Sequence, residues 1–298
     1  MLGEYFMELT YQINKKDVNS TINSILINEL HFSTRLLKKL INKNCIYLNN
    51  DTINTRCYGK VNDIISVSFD YKEDNSNIIA TPMQLDIIYE DDWLLILNKP
   101  AGIAIHPSLS HYSTSLSNGV KYYFDSIGLY KKIRPVNRLD FYTSGLVIFA
   151  KCEYIQECLS RQMSTNNFKK EYLCLIDGII EPQNGYIELP IARKESSIIE
   201  RCIDSSGQYS KTIYNLISEF DTYSLVHCIL ETGRTHQIRV HFSFLGHPLL
   251  GDTLYGQPSP LISHQALHSY QVSFIHPITN KVKKFAAPLP YDFKKLIK

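Results

Sequence analysis

The chain has 298 residues, 44% of them hydrophobic and 20% charged, enough apolar material for a proper core and room for about two domains. A formal net charge of only +2 excludes a globally basic nucleic-acid binder, so any RNA-binding surface must come from local clustering. Seven scattered cysteines without a CxxC pair argue against both a zinc site and a disulfide framework. No apolar run is long enough to span a membrane, and the opening MLGEYFMELT contains acids and lacks a signal-peptide core, so a cytoplasmic protein is expected.

Residues 5–13 alternate loosely and predict a short strand. From Ser20 the pattern turns helical, with Ile22, Ile25, Leu26 and Leu30 on one face. A second helix follows, capped by Ser33 or Thr34, with Leu36, Leu37, Leu40 and Ile41 marking its buried side. Arg35, Lys38, Lys39 and Lys43 lie off that stripe and are available to bind a polyanion. Cys45 to Leu48 and Ile64 to Phe69 predict strands around a turn at Asn49-Asn50-Asp51. Residues 72–82 are polar and end in Pro, the best candidate for a linker.

Beyond the linker the segments predict mainly strands, including Ile87 to Tyr89 and Trp93 to Asn98. Lys99-Pro100-Ala101-Gly102 then makes a turn. The densest stretch is Arg134 to Lys151, RPVNRLDFYTSGLVIFAK, where Asp140 stands before a turn and an apolar run, Gly145 to Ala150, that predicts a buried strand. An ionised carboxylate against such a run is costly unless compensated, and Arg138 and Lys151 flank it in sequence. Cys152 to Met163 has helical spacing, and Phe168 to Ile176 predicts a strand with a basic entrance. Ser224 to Glu231 predicts another strand, leading into Gly233-Arg234-Thr235-His236-Gln237-Ile238-Arg239. Gln265 to Phe274 and the C-terminal tail predict a last strand pair and a short helix.

Asn137-Arg138-Leu139-Asp140 followed by Thr143-Ser144-Gly145-Leu146 resembles the signature of the RluA-type pseudouridine synthases (RluA and RluD), usually written His-Arg-Leu-Asp-x-x-Thr-Ser-Gly-Leu. The Lys-Pro-x-Gly segment and Gly-Arg-Thr-His-Gln-Ile-Arg are similar to two further motifs of that family, in the same order. Ser33 to Asn49 resembles an S4-type RNA-binding module, with Val61-Asn62-Asp63-Ile64 where that module prefers Gly-Asp. The resemblance implies an α+β protein: residues 1–72 an S4-like module with an N-terminal strand, 73–82 a linker, and 83–298 a catalytic domain with a mixed, mainly antiparallel sheet.

It further implies an isomerase that breaks the bond from the sugar C1′ to N1 of a uridine and rejoins C1′ to C5, with no cofactor and no metal. Asp140 is then the catalytic nucleophile or electrostatic stabiliser, Tyr172 the ring that holds the base, and Arg234 the cation paired with the acid. Arg234 is preferred over Arg239 because a spacing of five puts the two on opposite faces of a regular strand. Arg138 is expected at the RNA, and Leu139 and Ile238 in the pocket wall. The partner is structured RNA, with large-subunit ribosomal RNA favoured over transfer RNA. No obligate protein partner is expected, and the chain should be a monomer. Asn137 stands where the family usually has His, and Phe141-Tyr142 where charged residues are common. His236, His241 and His247 do not have metal-ligand spacing, and Asp252 is expected to cap a turn after Gly251. Two rivals stand beside this: a non-catalytic RNA-binding or ribosome-assembly factor on the same fold, and a carbohydrate hydrolase pairing Asp140 with Asp252 or Glu231.

Overall fold

The structure, a computed structural model, describes residues 7–165 and 167–298; the first two positions of the strand expected over 5–13 lie outside them. The leading part is a four-stranded antiparallel sheet covered by two helices. Its elements are β1 (Glu8–Gln12), α1 (Ile22–Asn28), α2 (Thr34–Asn42), β2 (Ile46–Leu48), β3 (Asp51–Thr52) and β4 (Ile64–Ser68), with sheet order β1-β4-β2-β3. Capping starts each helix: the Thr21 hydroxyl accepts from the Ser24 amide at 3.2 Å, and Ser33 from Leu36 at 3.1 Å. Asn49 and Asn50 both take positive φ and make the tight β2–β3 turn. Leu36, Leu37 and Leu40 are buried as expected, but Ile41 is exposed, because the apolar stripe of α2 is narrower than the sequence suggests.

The larger part continues with β5 (Ile87–Glu90), β6 (Leu94–Lys99), α3 (Leu116–Ser126), β7 (Arg134–Pro135), β8 (Ser144–Ala150), α4 (Glu153–Gln162) and β9 (Lys169–Asp177). Next come β10 (Asn184–Glu188), β11 (Ile191–Arg193), β12 (Arg201–Ile203), β13 (Lys211–Glu219), β14 (Tyr223–Leu230) and α5 (Gln237–Phe244). The last elements are β15 (Leu267–Ile275), β16 (Val282–Ala286) and α6 (Tyr291–Leu296). Ten strands form one sheet in the order β10-β13-β14-β9-β15-β8-β6-β5, with β16 on β15 and β7 on β8. Every pairing in it is antiparallel except β15 with β8, so the expected mixed, mainly antiparallel sheet is present. Strand β8 is buried along its whole length, as its uninterrupted apolar run requires.

The segment expected as a linker contains no strand or helix, and it is tied down. The Glu73 carboxylate accepts from both terminal nitrogens of Arg134 at 2.6 and 2.7 Å and from Lys39 at 2.7 Å. Asn75 is buried against the Lys131 carbonyl. Across the same joint Ser33 donates to Glu157 at 2.7 Å and Tyr71 to Glu153 at 2.8 Å, while Lys39 also pairs with Glu153. Apolar packing joins in: Phe32 meets Tyr154 at 4.7 Å and Phe69 meets Trp93 at 5.9 Å, within a single buried cluster that spans both sheets. Lys39 is therefore a strut between the two parts, where the sequence left it available; Arg35, Lys38 and Lys43 remain exposed.

Candidate active site

Asp140 owes its place to the strand that follows it. Gly145 sits at φ +107° and lets β15 approach β8 so closely that a Cβ there would lie 2.2 Å from the Ser269 carbonyl oxygen. Upstream, the buried Asn137 amide donates to the Leu146 carbonyl and accepts from the Ile148 amide, each at 2.9 Å, so it substitutes for a missing stretch of ladder. The loop between them closes through the Thr143 amide on the Asp140 carbonyl at 3.1 Å. The Lys-Pro-x-Gly turn braces it from below: the Gly102 amide and the Lys99 ammonium both donate to the Phe141 carbonyl at 3.0 Å. Lys99 is fully buried and also donates to the Pro100 and Ile103 carbonyls at 2.9 Å. Burial pulls its pKa down to about 7, against the pull of the Asp140 charge.

The cation opposite Asp140 is Arg239, and the expected pairing with Arg234 is not made. Arg239 Nη1 donates to Asp140 Oδ2 at 3.0 Å. Its other donors grip the buried Asp252 in a fork, Nε to Oδ2 at 2.6 Å and Nη2 to Oδ1 at 2.9 Å. The Tyr255 ring lies 5.0 Å from the guanidinium carbon. Arg234 is exposed and sends its Nε to the Tyr209 carbonyl at 3.0 Å. The strand-face argument failed because residues 237–244 are helical, which turns position 239 inward. Gln237 fixes the entry to α5, accepting from Thr232 and the Arg234 amide while donating to Lys211 and Thr212. Asp252 does cap its turn, accepting from the Leu254 amide at 3.1 Å, but its larger role is to hold Arg239.

Around this pair lies a cleft of about 530 Å³ lined by Asp140, Tyr172, Arg138, Leu139, Ile238 and Arg234 among others, so it gathers the residues expected at the catalytic centre. Tyr172 is buried on β9; burial, reinforced by the Asp140 charge, pushes its phenol up to about 12, so the ring presents a neutral face. Leu139 and Ile238 pack beside it in one apolar cluster. Arg138 is exposed at the cleft and makes no ion pair with Asp140; Lys151 is buried just past the far end of β8, on Glu90 and the Asp91 carbonyl. His236, at the start of α5 with φ +59°, brings Nε2 to 3.8 Å from Asp140 while Nδ1 meets the Tyr255 hydroxyl at 2.8 Å. Burial lowers its pKa, with the Asp140 charge opposing. His241 is buried on Thr212 and the Leu189 carbonyl; it lies on the same helix as Arg239 and faces other groups. Among the described residues no cluster of His, Cys, Asp and Glu is built to hold a metal ion. Stacked rings border the loop, His111 on Phe141 at 4.7 Å and Tyr142 parallel to His264 at 5.9 Å.

The residues missed from sequence are Arg239, Asp252, His236 and Lys99. Their motifs were in view, but their contacts follow from helix α5 and from the crossing of distant loops. Residues 93–244 match the family described as RNA pseudouridylate synthase. The chain is 38% identical over 271 residues to the uncharacterized RNA pseudouridine synthase YjbO of Bacillus subtilis, covering 91% of this chain and 96% of that one. It is 33% identical to the ribosomal large subunit pseudouridine synthase D of Nitrosomonas europaea, over 89% of this chain and 80% of the relative. Among solved structures it resembles human RNA pseudouridylate synthase domain containing 1, with TM-score 0.57 and 26% identity over 70% of this chain and 84% of the other. A cleft with one acid held by an anchored guanidinium beside a neutral ring, on a sheet shared with such relatives, leaves no doubt of kinship: the chain belongs to the RluA-type RNA pseudouridine synthases, isomerases acting on uridine in RNA.

Proposed function

We propose that this enzyme modifies structured RNA, with large-subunit ribosomal RNA favoured over transfer RNA, and that Asp140 is the group that engages the target nucleotide. The observation that carries the role of Asp140 is its carboxylate in the cleft, hydrogen-bonded by an arginine that is itself locked by a second acid. An ionised carboxylate can attack carbon or stabilise positive charge developing at C1′. Arg239 orients it, in place of Arg234. The Tyr172 ring supplies a face for the flipped uracil, and Leu139 and Ile238 keep water from it.

The ribosomal preference draws on the relatives named for the large subunit and on the leading unit, residues 1–72, as an S4-like module joined through 73–82 to the catalytic domain, 83–298. On α2 and at its C-terminal end that module offers Arg35, Lys38 and Lys43 to phosphates, while Lys39 holds the joint. Arg138, exposed at the cleft mouth, contacts the RNA beside the target. The protein acts in the cytoplasm as a monomer.

Pseudouridine mapped in total RNA from cells with and without the protein identifies the target. Asp140→Asn is expected to abolish conversion of that site while RNA affinity stays within about threefold. A variant that still converts the site removes Asp140 from the chemistry. Absence of any site dependent on the wild-type chain would favour a binding factor.

A further inference from the structure

Lys170 and Tyr172 are two apart on β9, share a face of the strand, and both line the cleft. Lys170 is 8% exposed, yet among the described residues its ammonium reaches a single acceptor, the Thr232 carbonyl at 3.4 Å. Among the described residues no carboxylate comes within ion-pair distance of it. Gly233 lies directly against it: a Cβ there would sit 3.1 Å from the Lys170 nitrogen. Arg234, the next residue, lines the same cleft, and its terminal nitrogens make no hydrogen bond among the described residues.

A nearly buried ammonium with one long hydrogen bond and a second cation beside it is an unfavourable arrangement in the empty protein. Burial, and after it the Arg234 charge, pull the Lys170 pKa down, which shows the same imbalance. A neutral carbonyl would leave two positive charges uncompensated; an anion would satisfy both, with the guanidinium able to take it in a fork. We propose that Lys170 and Arg234 form a subsite for a phosphodiester of the RNA next to the target uridine, separate from the Asp140–Arg239 pair. This rests on the placement of the target nucleotide in the cleft, and it gives Arg234 a role on the substrate backbone.

The test uses uridine and uridine 3′,5′-bisphosphate, titrated separately into the full chain by ligand-observed NMR. The bisphosphate is expected to bind at least about tenfold more tightly, since one charge-assisted hydrogen bond is worth that much. Lys170→Met should shrink the advantage to within about threefold, and Arg234→Gln, at an exposed position where folding is not at issue, should also reduce it by about threefold or more. Lys281→Met, which removes the same charge from an exposed turn, should leave the advantage whole. Equal affinity for both ligands in the unaltered chain, or an advantage that survives either Lys170→Met or Arg234→Gln, overturns the proposal. Conversion of RNA by the same variants is scored separately. Loss of the phosphate advantage at Lys170 in a chain that makes no pseudouridine supports the subsite and rejects only the catalytic assignment.

Discussion

Arg239 commits three donors to two acids: the fork on Asp252 fixes the guanidinium plane, and the remaining nitrogen meets Asp140. A lysine there keeps the charge but cannot hold Asp252 bidentately while reaching Asp140. Arg239→Lys is therefore expected to lower kcat roughly 10- to 100-fold, the loss of one charge-assisted hydrogen bond, with RNA affinity unchanged. Single-turnover conversion checks this, and a rate within threefold of wild type would show that the pairing is incidental. At this scale much was legible. Asp140 and Tyr172 were named from their motifs, because residue type and order are local properties. The partner of Asp140 was not, because choosing between two arginines five apart requires knowing whether the backbone between them is extended or coiled. Asn137 was legible only as a departure from the usual His; its contacts to both Leu146 and Ile148 are visible only once β8 runs beside it.

Helix α5 shows why that backbone was misjudged. Ile238, Val240 and Phe242 alternate with Arg239 and His241, the pattern of a half-buried strand, but every residue from Gln237 to Phe242 is buried, so periodicity carries no information. Helix α3 went unpredicted although Leu116, Val120 and Phe124 recur every four residues. Gly119 interrupts the pattern, and the structure gives its reason: a Cβ there would come within 2.9 Å of Met83. Strands β6, β8 and β9 were legible because they are long, apolar and bounded by turns. The parallel contact of β15 with β8 was not, since nothing local in the sequence encodes a pairing across more than a hundred residues. It depends on Gly145. Gly145→Ala should destabilise the protein by roughly 3–5 kcal/mol, from a left-handed backbone and a clash with Ser269, and shift the loop carrying Asp140. Denaturant unfolding measures the first effect and conversion the second. A variant of normal stability would mean that β15 stands further from β8 than described.

Over the whole molecule the decisive feature is the joint between the two sheets. Burial alone would raise the pKa of Glu73, but Arg134 and Lys39 outweigh it and hold the carboxyl at about 2, below its ordinary 4.5. A depressed acid stabilises the fold above its ordinary pKa, and that contribution is lost as the pH falls from about 4.5 towards 2. Glu73→Gln, which leaves Arg134 only the less buried Glu153 at 3.3 Å, should cost roughly 3 kcal/mol near neutrality. Its melting temperature should also fall less than that of the wild type between pH 5 and pH 2.5, by calorimetry; parallel falls would show that Glu73 does not carry the acid sensitivity. The sequence suggested two units and a polar connector, because composition marks where regular structure stops. It could not show that the connector is pinned, since Glu73 meets its partners only after folding. A hinge would let the exposed cations of α2 and the cleft move independently. A welded joint makes their separation a constant of the molecule, so under the proposed function an RNA touching both would be measured as by a caliper, and inserting a base pair or two between the contacts would carry the uridine out of register with Asp140.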